Sequence, residues 1–288
     1  MLRKLSGALF LFVFLLAAAG CSSMPSSTQP TPQNTPGLMK VHFLDVGQGD
    51  STFVQLPTGQ NMLVDAGTKN EGVKVVNYLK KAGVKKIDYL VATHPHEDHI
   101  GGMAAVIRGF EIGRVYMPKA THTTKAYEDL LQAIQAKGLK ITAAKAGVEI
   151  INSAGLSAVM LAPNSAAYED LNNYSAVVKL TFGKISFLFT GDAQLQSEQE
   201  MLANGFSLKT DVLKVGHHGS YSSTSPAFLN AVKPKYAVIS NGTGNDYGYP
   251  HAVTLQKLSE TQVFRTDLNG NVIFTADGEG LQVFTSGK

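Results

Sequence analysis

Thr93-His94-Pro95-His96-Glu97-Asp98-His99-Ile100-Gly101-Gly102 gathers three histidines and two acids within six positions. Directly before it, Ile87-Asp88-Tyr89-Leu90-Val91-Ala92 reads as a buried strand, so the polar cluster falls where a strand ends and a loop begins. Imidazole and carboxylate are the usual ligands of Zn²⁺ and its divalent neighbours. A surface loop has no structural need of five such groups. His94 and His96 are two apart and point the same way along an extended segment. Asp98 and His99 follow on a tight turn that Gly101-Gly102 permits. One turn can therefore aim two ligand pairs at two neighbouring points.

Three other places carry chemistry at strand ends. Asp192 follows Phe187-Leu188-Phe189-Thr190-Gly191, a strand apolar on both faces. A buried anion there is costly unless cations or donors meet it. Two divalent metals would do so; a cap on the helix expected over residues 193–204 is the plainer alternative. His217 and His218 follow Val212-Leu213-Lys214-Val215-Gly216. Adjacent side chains diverge on a regular strand, so the reading gives a metal to His217 and a substrate contact or proton transfer to His218, with the reverse order open. Pro250 forces an extended approach before His251, leaving three roles open: second-metal ligand, substrate-phosphate contact or surface histidine. Six of the eight histidines thus lie in three strand-end motifs. His42 reads as a packed strand residue and His122 as a loop residue. Asp45 and Asp50 flank Gly47-Gln48-Gly49, read as a turn beneath the site with Asp50 orienting a histidine; Asp65-Ala66-Gly67 has similar status.

The spacing His-x-His-x-Asp-His resembles the signature of the metallo-β-lactamase superfamily. Further segments resemble one branch of it, that of the C-terminal extracellular domain of competence DNA-uptake channels of the ComEC/Rec2 type. These are residues 39–51 (Met39 to Ser51), Phe189-Thr190-Gly191-Asp192, residues 213–220 (Leu213 to Ser220) and Tyr247-Gly248-Tyr249-Pro250-His251. The resemblance implies an αββα sandwich, an α/β (α+β) fold, from about Met39 onward. It also implies two divalent ions, Zn²⁺ with Mn²⁺ as the alternative, bridged by Asp192. His94 and His96 would hold one; Asp98, His99 and His217 the other. Such pairs, about 3.5–4 Å apart, generate a bridging hydroxide near neutral pH, and Asp98 would accept its proton. Many superfamily members carry a further histidine between the loop and the bridging aspartate. Here that stretch is Leu171-Asn172-Asn173-Tyr174-Ser175-Ala176, which leaves Asn173 or Ser175 to line the site and one metal position open to water or substrate.

The remaining pattern is that of one ordinary α/β or α+β domain. Helices are expected over 73–82, 103–107, 127–137, 197–204, 227–232 and 253–258, with short strands between them and a hairpin turn at Phe182-Gly183-Lys184-Ile185. With 288 residues, 16% charged and a net charge of +3, the chain shows no basic stripe and neither demands nor excludes a nucleic-acid partner. Arg3 and Lys4 precede an uncharged stretch to Ala19, which reads as a secretory signal over residues 1–20. Cys21, the single cysteine, excludes an internal disulfide. Its setting resembles the lipid-modified cysteine of bacterial lipoproteins and would tether the chain to the outer face of the membrane. Residues 21–38, rich in Ser, Pro, Thr and Gln, read as a disordered tether, and residues 39–288 as the hydrolase domain.

The expected activity is therefore that of a membrane-tethered, extracytoplasmic phosphodiesterase or nuclease on single-stranded DNA or another phosphodiester. A phosphodiesterase for cell-envelope polymers, a non-catalytic surface binding protein and a DNA-uptake accessory subunit are the alternatives. No dedicated protein partner is inferable.

Overall fold

A computed structural model describes Leu2 and residues 37–288. Apart from Leu2, the expected secretory signal lies outside the described residues, as do Cys21 and nearly all of the expected tether. Fifteen strands and eight α-helices follow one another among them. The first half runs β1 (Met39–Phe43), β2 (Thr52–Gln55), β3 (Asn61–Val64), α1 (Gly72–Lys81), β4 (Lys86–Val91), α2 (Glu97–Ile100), α3 (Met103–Gly109), β5 (Glu111–Met117), α4 (Lys125–Ala136) and β6 (Ile141–Ala143). The second runs β7 (Glu149–Ser153), β8 (Leu156–Ala162), β9 (Val177–Phe182), β10 (Ile185–Phe189), α5 (Leu195–Ala203), β11 (Val212–Lys214), α6 (Pro226–Val232) and β12 (Tyr236–Ile239). It closes with α7 (Ala252–Lys257), β13 (Gln262–Arg265), α8 (Thr266–Asn269), β14 (Val272–Ala276) and β15 (Leu281–Thr285).

Two sheets result. One is ordered β15-β14-β1-β2-β3-β4-β5-β6, the other β13-β12-β11-β10-β9-β8-β7. Within each, hairpin-linked strands pair antiparallel, whereas the strands joined through helices pair parallel: β3 to β6 in the first sheet and β10 to β13 in the second. That division follows from connection length, since a parallel neighbour needs a crossover and an antiparallel one only a turn.

Strand alternation then makes two kinds of core. Met39, Val41 and Phe43 of β1 meet Phe187 and Phe189 of β10 and Val238 of β12 between the sheets. Leu63, from the opposite face of β3, packs with Val75, Leu79, Ile107 and Leu130 under α1, α3 and α4. Leu188 and Leu213 do the same beneath α5 and α6 with Met201 and Phe228. The fold is thus the αββα sandwich expected. The hairpin turn is where it was anticipated, with Gly183 at φ +57°. Helices α2 and α8 and three short 3₁₀ turns were not anticipated, because three or four residues carry too little periodicity to read. Among the described residues no helix is long and apolar enough to cross a membrane.

His42 is buried in β1 as expected, its ring between Phe53 and Tyr78 and its nitrogens at Tyr78 Oη (2.8 Å) and Gln55 Oε1 (3.2 Å). Burial pushes its pKa down from 6.5 to about 3. The unfolded chain therefore binds a proton below pH 6.5 that the folded chain refuses until about pH 3. Stability contributed by neutral His42 is present above pH 6.5 and lost as pH falls through that window, by at most about 1.4 kcal/mol per pH unit. Urea denaturation at pH 7.5 and 5.5 should show a smaller acid-induced loss for His42→Gln than for the wild type. Equal losses would sink this assignment.

Candidate metal centre

The site forms where the two sheets present the ends of β4, β10, β11 and β12. Thr93, two residues beyond the strand end of β4, ties the histidine loop down: its amide and hydroxyl donate to Asp65 Oδ1 (2.9 Å) and Oδ2 (2.6 Å). The loop before β2 packs beneath it. Asp50 N donates to Asp98 O (3.0 Å) and Gly67 N to Asp50 O (2.8 Å). A β-carbon on Gly49 would run into the Asp98 carbonyl, so only glycine lets these loops touch. The Gly47-Gln48-Gly49 turn therefore sits under the site, as read from the sequence.

Asp192, at the end of β10, is the meeting point. It is 2% exposed, its amide donates to Ser175 Oγ (3.0 Å), and its carboxylate is approached by four imidazoles. His99 Nε2 lies 3.2 Å from Oδ1; His218 Nε2 (3.4 Å), His94 Nε2 (3.8 Å) and His217 Nε2 (3.8 Å) lie near Oδ2. His96 Nδ1 lies 3.0 Å from His94 Nε2, and Asp98 Oδ2 lies 3.1 Å from His218 Nε2. The tightest ligand-type group is Asp98, His99, Asp192 and His218, whose donor atoms all lie within 4.8 Å of one another.

The sequence reading placed His217 and His218 on a regular strand, where they would diverge. Instead, both occupy the left-handed region, at φ 49° and 52°, inside a 3₁₀ turn over Gly216–Gly219. Two consecutive non-glycine residues in that region cost of order 1–3 kcal/mol each, and such strain concentrates at functional sites. The turn rolls both rings toward Asp192. Only His218 joins the tight group; His217 lines the cavity wall, with Nδ1 3.1 Å from Ser222 Oγ and Nε2 3.4 Å from Tyr249 Oη.

The outer shell fits ligand duty. His99 Nδ1 is 2.8 Å from Asp65 Oδ2, and His218 Nδ1 is 2.9 Å from the Ser240 carbonyl. Each contact fixes the ring and leaves Nε2 toward Asp192. Asp65 thus orients a histidine most closely, and Asp50, read from the sequence in that role, lies further off, with Oδ1 3.4 Å from His218 Nδ1 and Oδ2 3.7 Å from His99 Nδ1. His99 Nε2 and Asp192 Oδ1 are buried without any hydrogen-bond partner. An imidazole nitrogen and a carboxylate oxygen left so are costly, and a divalent cation between them satisfies both. The His/Asp cluster has the donor set to bind metal.

Electrostatics agree. Burial pushes Asp192 up, but His218 and His99 outweigh it and hold the carboxyl well below the usual range. Burial also opposes charge on His99 and His218, yet the surrounding carboxylates, Asp192 foremost, raise both well above 6.5. Metal binding would therefore expel protons from these rings. His94 is driven well below 6.5 by burial, and His217 is lowered for the same reason.

The other anticipated residues take distinct places. Ser175 Oγ accepts from Asp192 N and lies 3.4 Å from His94 Nδ1. Asn173 Oδ1 instead accepts from Gln194 N (3.2 Å) and Ser197 N (3.3 Å) at the start of α5. Its neighbour Asn172 lines the cavity, with Oδ1 buried and unpartnered. His251 accepts from Tyr221 N (3.0 Å) through Nδ1 and packs between Tyr221 and Tyr249. His122 stands 5.9 Å from the His96 ring. The open cavity above the group has a volume of about 310 Å³ and is lined by Gln48, His96, Glu97, Asp98, Asn172, Asp192, His217, His218, Tyr247 and Tyr249.

Residues 44–242 match the metallo-β-lactamase superfamily. The chain belongs to that superfamily. It is 34% identical over 252 residues to ComE operon protein 3 of Bacillus subtilis, an alignment covering 81% of this chain and 32% of that protein. It is 30% identical over 240 residues to Recombination protein 2 of Haemophilus influenzae, covering 81% of this chain and 28% of the relative. The chain thus spans about a third of the length of the curated relatives it matches. Among solved structures, the metallo-β-lactamase fold protein YhfI from Bacillus subtilis superposes with a TM-score of 0.54 at 13% identity, over 83% of this chain and 99% of YhfI.

Lys214 escaped the sequence reading. It is 2% exposed at the end of β11, with Nζ in an ion pair with Asp50, 2.9 Å from the Gly191 carbonyl and 3.9 Å from Asp192 Oδ1. Its signal was a lone cation in the apolar run Val212-Leu213-Lys214-Val215. Lys214→Met leaves Asp50 buried without its nearest cation, and urea denaturation should register a loss of about 3 kcal/mol or more. Adding Asp50→Asn to that variant should recover part of it. Wild-type stability in the single variant would show the pair to be idle.

Proposed function

We propose that the chain is a metal-dependent phosphodiesterase, a nuclease in the first instance, held at the outer face of the cell membrane through lipidated Cys21. The observation that carries the catalytic part is the group of Asp98, His99, Asp192 and His218, with unpartnered buried donor atoms, at the floor of an open cavity. These four would hold one divalent ion. His94 and His96, with Asp192 shared, would hold a second, Zn²⁺ or Mn²⁺ suiting either place. Bound ions supply Lewis acidity and a nucleophile at neutral pH. The rest falls to the protein. Asp98, with 31% of its side chain exposed, is the carboxylate of the group that reaches the cavity and accepts the proton of the attacking water. His218, enclosed between Asp98 and Asp192, belongs with the ligands. His217, on the cavity wall beside Tyr249 Oη, contacts the substrate phosphoryl group. This reverses the assignment of the two histidines favoured by strand geometry.

The choice of a nucleic-acid phosphodiester rests on relatives whose names connect them with recombination and, in Neisseria gonorrhoeae, with competence. The full-length chain, supplied with Zn²⁺ or Mn²⁺, should cleave bis(p-nitrophenyl) phosphate and single-stranded DNA. Asp192→Ala should reduce both by about a thousandfold, the equivalent of several kcal/mol of lost charge stabilisation. Cleavage of the small ester but of no DNA would favour cell-envelope polymers. Tight metal binding without turnover would leave a binding protein or an uptake accessory.

Two acyl chains suffice for stable anchoring, at about 0.8 kcal/mol per buried CH₂. In cells, Cys21→Ser should move the protein from the membrane fraction to the soluble extracytoplasmic fraction. A variant that stays with the membrane would remove the lipid anchor from this proposal.

A further inference from the structure

From the cavity wall, where Tyr247 and Tyr249 stand, a row of aromatic rings that the metal chemistry does not use runs outward. Tyr247 and Tyr249 stack nearly parallel, 5.3 Å between centroids and 13° between planes. Tyr249 meets His251 at 5.1 Å, and His251 meets Tyr221 at 5.1 Å. Tyr249 also lies 5.5 Å from the His217 ring and 6.2 Å from that of His218, so the row starts at the site itself. Its outer members are bare: Tyr247 is 63% exposed and Tyr221 68%. They stand at the two ends of the row, with Tyr249 and His251 between them, and exposed apolar rings gathered beside a cavity mark a binding surface.

The loop beneath the row is braced. The Asn245 side chain donates to the carbonyls of Gly242 (2.9 Å) and Tyr249 (2.7 Å) and accepts from Tyr249 N (2.9 Å). Gly242 N in turn donates to Gln48 Oε1 (3.2 Å). A tyrosine held on such a loop has only two side-chain torsions left to order, so a planar ligand meets it at low entropic cost.

We propose that Tyr247 and Tyr221, with Tyr249 between them and the site, form a stacking subsite for the nucleobases that flank the scissile phosphate of a single strand. The proposal rests on the phosphodiesterase reading and narrows its substrate to base-bearing polymers. No Lys or Arg lines the cavity, while Glu97, Asp98 and Asp192 do. Backbone charge therefore contributes little attraction there, and selection falls to the rings. Stacking is sequence-tolerant, because every base has a π-face.

The test is binding without turnover. A fluorescent single-stranded oligodeoxynucleotide and an abasic strand of equal length and charge are titrated into the full-length chain in EDTA. The base-bearing strand should bind at least tenfold more tightly. Tyr247→Ala and Tyr221→Ala should each weaken it about fivefold or more, leave the abasic strand unchanged, and keep the urea unfolding midpoint of the wild type, so that a lost fold is not mistaken for a lost subsite. Tyr247→Phe should retain the affinity, since the ring and not the hydroxyl carries it. Equal binding of the two strands, tighter binding of a poly(glycerol phosphate), or unaltered affinity in both alanine variants would overturn the subsite. Failure to hydrolyse bis(p-nitrophenyl) phosphate would count against the phosphodiesterase reading alone, because the binding comparison is decided independently.

Discussion

Four buried or half-buried carboxylates, those of Asp50, Asp65, Asp98 and Asp192, converge on one small volume, and the architecture around them is a response to that charge. No carboxylate survives as an anion away from water without compensation. The chain supplies Lys214 to Asp50, His99 to Asp65 and Asp192, and His218 to Asp98 and Asp192. Burial wins only at Asp65, whose carboxyl is raised despite the His99 contact. Asp50 and Asp192 are held low by their cations in spite of burial. The metal-free arrangement is thus a set of protonated imidazoles standing where divalent cations would stand, and loading exchanges protons for metal within the same cage.

The αββα fold makes this convergence possible because each charged group sits at or just beyond a strand end while residues one to three positions back anchor the core. Phe189 packs between the sheets three residues before Asp192, and Leu213 and Val215 flank Lys214 beneath helices. The apolar interior fixes the strands, and the parallel strands of both sheets then end at the same rim. What remains is local steering. The left-handed turn at His217 and His218, and Asp65 at φ 58°, are backbone conformations that few side chains tolerate. Their cost is carried by the sandwich core rather than recovered locally.

This division explains what could be read from the sequence. The strand-end positions of His94, His96, Asp98, His99 and Asp192 were legible because each follows an apolar run, and burial of the run places its end. The layered fold followed from alternation and from resemblance. Illegible were the features set by single-residue geometry. Whether Asn172 or Asn173 meets the cavity depends on the roll of a 3₁₀ turn over Leu171–Tyr174. Whether His217 or His218 reaches the metal group depends on two φ angles. Lys214 stood in plain view, but a lysine in an apolar strand reads equally as an edge residue until its partner is known, and Asp50 is far away in the chain.

The same geometry supports placing His218, rather than His217, with the proposed ligands. A ligand ring needs its distal nitrogen fixed and its proximal one free. His218 has Nδ1 on a backbone carbonyl, a partner that cannot donate, so Nδ1 keeps its proton and the one on Nε2, facing Asp98 and Asp192, is the proton a metal would displace. His217 has Nδ1 against the Ser222 hydroxyl, which can donate or accept, and Nε2 against the Tyr249 hydroxyl, likewise ambivalent. Its tautomer is free to change as a substrate arrives. A ring with a fixed tautomer suits coordination; one between two hydroxyls suits a contact that must reorganise during reaction. Two adjacent histidines, alike in sequence, are separated into these roles by the groups that the turn places against their far nitrogens.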